Sequence, residues 1–375
     1  MSSGRDALKT ARRVVVKIGT GALTHATGRF NREHFEALAG DLLAAAQDRE
    51  LVVVSSGAIA LGVERLGYPS RPRDIPGKQA CAAVGQSRLM QAYEEAFGRG
   101  HRTVAQVLLT HEDVQDRRRY LNARHALTRL LSEKVVPVIN ENDTVSVDEL
   151  KFGDNDTLGG LVAGLVEAEA LIILSDVEAL YDADPRSKPD AKRLSVVEKV
   201  TPQILALSGG SSTGHGTGGM STKVQAAAQV TELGIRCVIT SGATPGRLQQ
   251  VLAGEDVGTL FERQGSRRSA RAAWIAHALR PKGTLKLDEG ARKAVVEGKR
   301  SLLPSGIREV KGHFEQGDPV DLVDDSGHAF ARGLAAYSSE DLKKIAGKKS
   351  TEIEAVLGYR YLDEAVHRDD LAVIS

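Results

Sequence analysis

The sequence has little cysteine, few aromatic residues and no long apolar run. The spacing of its two cysteines, Cys81 and Cys237, matches neither a zinc site nor a disulfide framework. No apolar segment approaches the roughly 18 residues of a membrane-spanning helix. The basic first residues run into a single strand-like segment rather than a secretory apolar core. These features favour a soluble protein of a reducing compartment, the cytoplasm.

An excess of charge of either sign is also missing. The 375 residues contain 50 Lys and Arg against 49 Asp and Glu, so the chain has no overall bias toward nucleic acid or membranes. Hydrophobic residues make up 41% of the chain, which is enough for a substantial core. A chain of this length suits two domains better than one.

Short β-branched runs recur along the first two thirds of the chain, and each is followed by a turn rich in glycine or polar residues. They lie at residues 14–16, 51–54, 135–139, 171–174 and 237–240. Residues 31–50 instead repeat apolar side chains every three or four positions, with Asn31 as a plausible N-cap. This alternation predicts an α/β fold, a three-layer αβα sandwich with a mainly parallel sheet.

The amino-acid composition of the sequence changes near residue 263. We expect a first domain over residues 8–262 and a charged linker of small residues over 263–279. Residues 280–365 are then predicted to form a small, mostly β domain, because short apolar runs alternate there with Gly, Pro and Asp turns. In parallel sheets, ligands collect where the strands end, so the polar turns of the first domain are the place to look for function.

The segment 213–223, TGHGTGGMSTK, is the most distinctive of the glycine-rich stretches. It matches the spacing of a dinucleotide fingerprint but lacks the strand that must precede one, and no Walker-type P-loop occurs in the chain. A flexible linker is the plainest alternative. The stretch nevertheless runs directly into a helix start, where backbone N–H groups attract anions and Lys223 adds a positive charge. A phosphate cradle is therefore plausible.

Two further turns carry groups suited to anions. Lys17 follows the first strand, and Gly19 frees the backbone there to approach a ligand, although a lysine at a strand end is more often simply solvated. Ser56 and Gly57 follow the second strand without the G-x-S-x-G pattern of serine hydrolases. A hydroxyl and glycine N–H groups that recognise a carboxylate or phosphate fit better.

Asparagine and aspartate crowd two other segments, 140–143 and 153–156. Turn chemistry alone explains such residues, and a metal site is possible, although EF-hand spacing is missing. Recognition of an amino acid is a third interpretation, with carboxylates for the ammonium and amides for the carboxylate. Ser175 and Asp176, after the fourth strand, suit either a nucleotide contact or a turn cap.

Together these segments resemble the amino acid kinase superfamily, and within it the branch that phosphorylates L-glutamate. The resemblance covers nearly the whole chain and is carried by VVVKIGTGAL, VVVSSGAIALG, VPVINENDTV, KFGDNDTL and GTGGMSTKVQAA. The tail, AFARGLAAYSSEDLKKIAG, is similar to the PUA-type domain that follows the kinase domain in many members.

The resemblance implies transfer of a phosphoryl group from ATP, with Mg²⁺, to the side-chain carboxylate of L-glutamate, at the first step of proline synthesis. It implies a homo-oligomer and inhibition by proline. It assigns Lys17, Lys223 and Asp156 to catalysis. It assigns Ser56, Gly57, Asp143 and Asn155 to glutamate. The ATP site would comprise Lys17, Gly19, Ser175, Asp176, Thr217, Gly218, Gly219, Met220, Ser221, Thr222 and Lys223. It supplies no protein ligands for the metal.

Two alternatives remain at this stage. The substrate could be N-acetylglutamate, aspartate or carbamate, although the segments that carry Asp143 and Asn155 favour a free amino group. The tail could bind RNA, as PUA-like domains do in RNA-modifying enzymes. Residues 278–375 hold sixteen Lys and Arg against seventeen Asp and Glu, so a basic surface is not favoured, and we expect a structural or regulatory role.

Overall fold

A computed structural model of the chain describes residues 4–146, 155–185, 187–209, 219–265 and 280–374. The chain divides into two compact units, residues 1–266 and 267–375. Most of the expected linker lies outside the described residues, so the domain boundaries at 262 and 280 stay a prediction. Within the described parts of the chain, no helix is both long and apolar enough to cross a membrane.

The first unit is built on an eight-stranded sheet with the order β3-β4-β2-β1-β5-β7-β8-β6. All neighbouring strands are parallel except β7 and β8, which pair antiparallel. The strands are β1 Arg13–Ile18, β2 Glu50–Ser55, β3 Val104–Leu109, β4 Val136–Glu141, β5 Ala170–Ser175, β6 Val196–Val197, β7 Arg236–Ser241 and β8 Thr259–Phe261.

Ten described α-helices accompany this sheet. They are α1 Asp6–Lys9, α2 Arg32–Asp48, α3 Ala58–Leu66, α4 Ile75–Gly98, α5 His111–Gln115, α6 Arg117–Ser132, α7 Asn155–Leu165, α8 Pro202–Leu207, α9 Met220–Glu232 and α10 Arg247–Leu252. A 3₁₀ turn covers Thr20–Ala22. The Asn31 side chain accepts a hydrogen bond from the backbone N–H of His34, as the sequence predicted for the start of α2.

Alternate residues of the central strands enter two separate hydrophobic cores. Val14 and Val16 of β1 pack in one core with side chains of α2 and α4, whereas Val15 packs in the other with side chains of α6, α7 and α9. Both faces of the sheet are therefore covered by helices, which explains why the strands read as continuous apolar runs. The expected three-layer αβα sandwich is confirmed.

Helices α3 and α4 approach unusually closely through two glycines. A Cβ atom added at Gly85 would lie 1.7 Å from the carbonyl oxygen of Ala58, and one added at Gly62 would lie 1.8 Å from that of Cys81. Neither position can accept a larger side chain without separating the helices. The contact fixes α4 against the segment Ser56–Gly57, from which α3 begins.

We expect Gly85→Ala to lower the free energy of unfolding by about 3 kcal/mol, because its methyl group overlaps the Ala58 carbonyl. Gly40→Ala is the matched control. Gly40 lies exposed inside α2 with nothing within 4 Å of an added Cβ, so the change should raise stability by about 0.5–1 kcal/mol. Denaturant unfolding monitored by circular dichroism measures both. Equal effects of the two substitutions would contradict the close contact.

The second unit contains a five-stranded sheet with the order β10-β9-β11-β12-β13. Strands β9 and β11 are parallel, and the other pairs are antiparallel. Its elements are β9 Gly283–Leu287, α11 Glu289–Val296, β10 Ile307–Gly312, β11 Pro319–Val323, β12 Ala329–Leu334, α12 Ser339–Ile345, α13 Ile353–Leu357 and β13 Leu371–Val373, with 3₁₀ turns at Pro304–Gly306, Ser350–Glu352 and Arg368–Asp370.

The expectation of a small β-rich second domain is confirmed, with one difference in detail. Within the region predicted to be mostly β, residues 289–296 form a helix, α11. The Asp288 side chain accepts a hydrogen bond from the Ala291 N–H and caps this helix. An N-cap aspartate therefore decides the local structure over a stretch whose apolar pattern is short and ambiguous.

Candidate active site

Four adjacent strands of the first unit end at one edge of the sheet and bring the sequence-predicted residues together. The strands are β4, β2, β1 and β5, in that order. Lys17 lies near the end of β1, Ser56 follows β2, and Ser175 ends β5. Because parallel strands present their carboxyl ends at the same edge, residues far apart in sequence meet here.

The centre of this edge is a buried cluster of two lysines and one aspartate. Lys17 Nζ pairs with Asp156 Oδ1, and Lys223 Nζ lies 2.9 Å from Asp156 Oδ2. The Thr222 hydroxyl also donates to Oδ2, at 2.9 Å. Lys17 and Lys223 are each 4% exposed and Asp156 is fully buried. Two ammonium groups share one carboxylate, so the cluster carries an excess of positive charge in a place shielded from water.

Burial by itself would raise the pKa of Asp156, but the two ammonium groups outweigh it and hold that pKa well below its usual range. The carboxylate therefore stays ionised and cannot serve as a proton donor at neutral pH. Its position at the start of α7 adds to this, since a helix N-terminus favours negative charge. Asp156 is placed to hold the lysines rather than to transfer a proton.

Two glycines make room for Lys17. A Cβ added at Gly159 would lie 3.2 Å from Lys17 Cβ, and one added at Gly19 would lie 3.5 Å from Lys17 Nζ. Gly159 on α7 thus lets the helix lie against the lysine stem, and Gly19 leaves the ammonium group uncovered on its side. The Gly19 N–H is itself engaged, donating to Leu174 O at 2.9 Å.

A second group of polar side chains is centred on Asn155, the residue before Asp156. Asn155 Nδ2 donates to Ser56 Oγ at 2.8 Å and to Asn140 Oδ1 at 3.2 Å. Gly57 follows Ser56 with φ 106°, a left-handed conformation that suits glycine, and immediately precedes α3. The structure therefore brings Ser56, Gly57 and Asn155 together. Asp143 lies half-buried in the turn after β4.

The other predicted residues that the structure describes belong to the end of β5 and the start of α9. Ser175 is buried, and its hydroxyl donates to the exposed Asp176 at 2.9 Å. Gly219 precedes α9 in extended backbone geometry, with no side-chain cap from the described residues, so the first N–H groups of α9 can bind an anion. Met220, Ser221 and Thr222 form its first turn. Thr217 and Gly218 lie outside the described residues.

Three contacts here were not predicted from the sequence. Thr222 binds the same carboxylate oxygen as Lys223. Asn140 bridges Asn155 and Gln86, which lies in the middle of α4. The asparagine-rich turn signalled Asn140, but one polar residue within a long helix carries no signal of its own. Only the close packing of α4 brings Gln86 to this edge.

No cluster of three or more His, Cys, Asp or Glu side chains within the described ranges could hold a metal ion. The chemistry of Mg²⁺ is compatible with this arrangement, because Mg²⁺ keeps several waters and is commonly held by substrate phosphates plus one or two carboxylates.

Comparison with known proteins gives consistent results. Residues 12–241 match the model of the amino acid kinase family, and residues 283–357 match the PUA domain. A glutamate 5-kinase of Myxococcus xanthus is 73% identical over 374 residues, covering 100% of this chain and 99% of that protein. A glutamate 5-kinase of Anaeromyxobacter dehalogenans is 51% identical, with 99% and 98% covered. One from Citrifermentans bemidjiense is 48% identical, with 99% and 100% covered. The chain belongs to the amino acid kinase family and carries a C-terminal PUA domain.

Proposed function

We propose that this protein is a glutamate 5-kinase, which transfers the γ-phosphoryl group of ATP to the side-chain carboxylate of L-glutamate. The observation that carries this proposal is the buried cluster of Lys17, Asp156 and Lys223 at the strand edge. The similarity to glutamate 5-kinases over the full chain supports the choice of substrate.

In this reaction a carboxylate oxygen of glutamate attacks the γ-phosphorus, the bond from that phosphorus to the β,γ-bridging oxygen breaks, and ADP leaves with the bond electrons. The product is the acyl phosphate L-glutamyl 5-phosphate. A glutamate side chain has a pKa near ~4.3 and is already ionised at neutral pH, so no general base is needed. This fits a cluster whose only carboxylate is held ionised by lysines.

The main barrier is the approach of one anion to another. Lys17 and Lys223 would bind the phosphates and stabilise the charge that spreads over the transferring group, and Asp156 would hold both ammonium groups in place. Mg²⁺, bound with ATP, would supply further neutralisation of phosphate charge. Because the lysines are almost fully buried, their charge is screened less than it would be at the surface.

We assign the other roles as the resemblance implies them. Ser56, Gly57, Asp143 and Asn155 would bind glutamate. Gly19, Ser175, Asp176 and the segment 217–222 would bind ATP together with the lysines. The resemblance further supports a cytoplasmic homo-oligomer of the proline biosynthetic route, with proline as inhibitor and a structural or regulatory second domain.

The test is a hydroxamate assay with the full-length protein, Mg·ATP and hydroxylamine. We expect γ-glutamyl hydroxamate and ADP with L-glutamate, because an acyl phosphate reacts with hydroxylamine as it forms. We expect no product with N-acetylglutamate or aspartate. If only another acid gives product, the assignment as a phosphotransferase stands and the assignment of L-glutamate as substrate fails. No product with any acid, in protein shown to be folded by circular dichroism, would contradict the proposal.

A further inference from the structure

Three hydrogen-bonded side-chain amides connect the middle of α4 to the proposed glutamate site. We name Gln86, Asn140 and Asn155 the amide relay. Gln86 is 7% exposed and Asn140 is 3% exposed, so the first two members have almost no contact with water. Polar groups buried in this way are held in place by their hydrogen bonds.

The relay has a direction. Asn155 Nδ2 donates to Asn140 Oδ1 at 3.2 Å, and Asn140 Nδ2 donates to Gln86 Oε1 at 2.9 Å. Each amide uses its nitrogen toward α4 and its oxygen toward the site. Gln86 Nε2, at the inner end, is buried and has no partner among the described residues.

The outer end of the relay offers two complementary groups. Asn155 Nδ2 is occupied by Asn140 and Ser56, while Asn155 Oδ1 is buried with no partner in the described part of the chain. Ser56 Oγ accepts a hydrogen bond from Asn155 and can therefore donate its own hydrogen elsewhere. An open acceptor suits an ammonium group, and an open hydroxyl donor suits a carboxylate. An amino acid carries both.

The opposite direction would remove both groups. If Asn155 turned its oxygen toward Asn140 and Ser56, the Ser56 hydroxyl would donate to that oxygen and lose its free hydrogen. The amide nitrogen would then occupy the place of the open acceptor and would repel an ammonium group. The direction of the relay therefore decides whether this site accepts an amino acid.

The inner end of the relay is held by the packing of the helices. Gly85, next to Gln86, brings α4 against the start of α3, which follows Ser56 and Gly57 directly. The backbone of Gln86 thus has a fixed position relative to Ser56. Its side-chain oxygen can then act as a fixed acceptor for Asn140.

We propose that Gln86 is a positioning residue that sets the direction of the amide relay and so adapts Asn155 to the amino group of the substrate. This inference rests on the proposed function, because it takes L-glutamate as the ligand. Gln86 acts through Asn140 and does not itself contact the substrate. The alternative is that Gln86 only fills space in the core.

Two substitutions separate these roles. Gln86→Met keeps a similar volume but removes the acceptor, so Asn140 and Asn155 lose their direction. Gln86→Glu keeps an oxygen that can accept from Asn140 whether its carboxyl group is ionised or protonated, so it can keep that direction without the unused nitrogen. Calorimetric titration of the full-length protein measures the Kd of L-glutamate and of glutarate, which lacks the amino group. The ratio of the glutarate Kd to the L-glutamate Kd reports how strongly the site recognises the ammonium.

We expect Gln86→Met to lower this ratio about tenfold, as loss of a hydrogen bond to a charged group does, and Gln86→Glu to keep it within about threefold of the unmodified protein. The apparent KM for ATP should change little in either. If Gln86→Met fails to fold, Gln86→Leu, which also lacks the acceptor, takes its place, and loss of the ratio in Gln86→Glu overturns the proposal.

An unchanged ratio in Gln86→Met, equal losses in the two variants, or equal binding of both ligands by the unmodified protein would overturn the proposal. Those results are distinct from failure of the proposed function. If the unmodified protein forms no γ-glutamyl hydroxamate, the kinase assignment fails. If it forms the hydroxamate and the ratio does not respond to Gln86→Met, only the role of Gln86 fails.

Discussion

Lys223→Ala is expected to lower kcat about 10²–10³-fold, and Lys17→Ala to do the same. Each removes a preorganised positive charge from a buried site, and the remaining lysine of the cluster supplies only one of the two charges. Neither lysine is near the surface, so added salt should not restore the activity. The measurement is steady-state ADP release at saturating L-glutamate and ATP.

Lys→Arg at either position should also be strongly impaired. Both ammonium groups lie against the carboxylate of Asp156, and a planar guanidinium cannot take the place of a compact ammonium group there. Lys199→Ala is the control, since Lys199 is exposed on the same unit, and it should keep full activity. Unchanged kcat in both single alanine variants would refute the proposed role of the cluster.

Asp156→Asn is expected to lower the free energy of unfolding by about 3–5 kcal/mol at neutral pH. The change leaves two ammonium groups buried side by side without their shared carboxylate, and breaking a buried pair leaves uncompensated charge. Activity should fall as well, because neither lysine keeps its position. Guanidinium unfolding of the two proteins at pH 7 measures the difference.

The same difference should depend on pH. Burial acts to raise the folded-state pKa of Asp156, but the two lysines outweigh burial. This pKa therefore lies below the ~3.9 of an unfolded aspartate. Its carboxylate thus stabilises the fold fully above that unfolded value, and this stabilisation is lost as the pH falls through the folded-state pKa. The difference in the free energy of unfolding between the unmodified protein and Asp156→Asn should therefore become smaller in acid.

Asp256→Asn provides the matched control. Asp256 also pairs with two cations, Arg5 and Arg193, but its side chain is 57% exposed. Ion pairs in contact with water contribute little, so this substitution should cost no more than about 1 kcal/mol. Similar effects at Asp156 and Asp256 would mean that burial of the lysine cluster does not matter energetically.

The sequence predicted much of the fold because its signals are local. Apolar runs such as 14–16 and 171–174 mark strands buried on both faces, and the cap at Asn31 marks the start of α2. The polar turns after these strands predicted residues that the structure brings together at one edge of the sheet. These features depend on residue type and spacing within one segment, so they are visible without a structure.

Contacts between distant segments could not be obtained in this way. Lys17 and Asp156 are 139 positions apart, and nothing in the sequence near either residue shows that they form an ion pair. Gln86 meets Asn140 only because Gly85 allows α4 to lie close to α3. The short strand β8 runs antiparallel to β7, which no local pattern indicates. Such features depend on the topology of the whole sheet.

The position of β1 has a consequence for how the chain assembles. Strand β1, the first described strand in chain order, lies at the centre of the sheet, between β2 and β5. Its pairing with β5 joins residues more than 150 positions apart, and such long-range parallel pairings form slowly. One edge of β1 stays open until residues 170–175 are synthesised, and Lys223, which lies further along the chain, reaches Asp156 and Lys17 only after that. The sheet and the charge cluster are therefore both completed late in folding, and a chain that misassembles should be inactive as well as unstable.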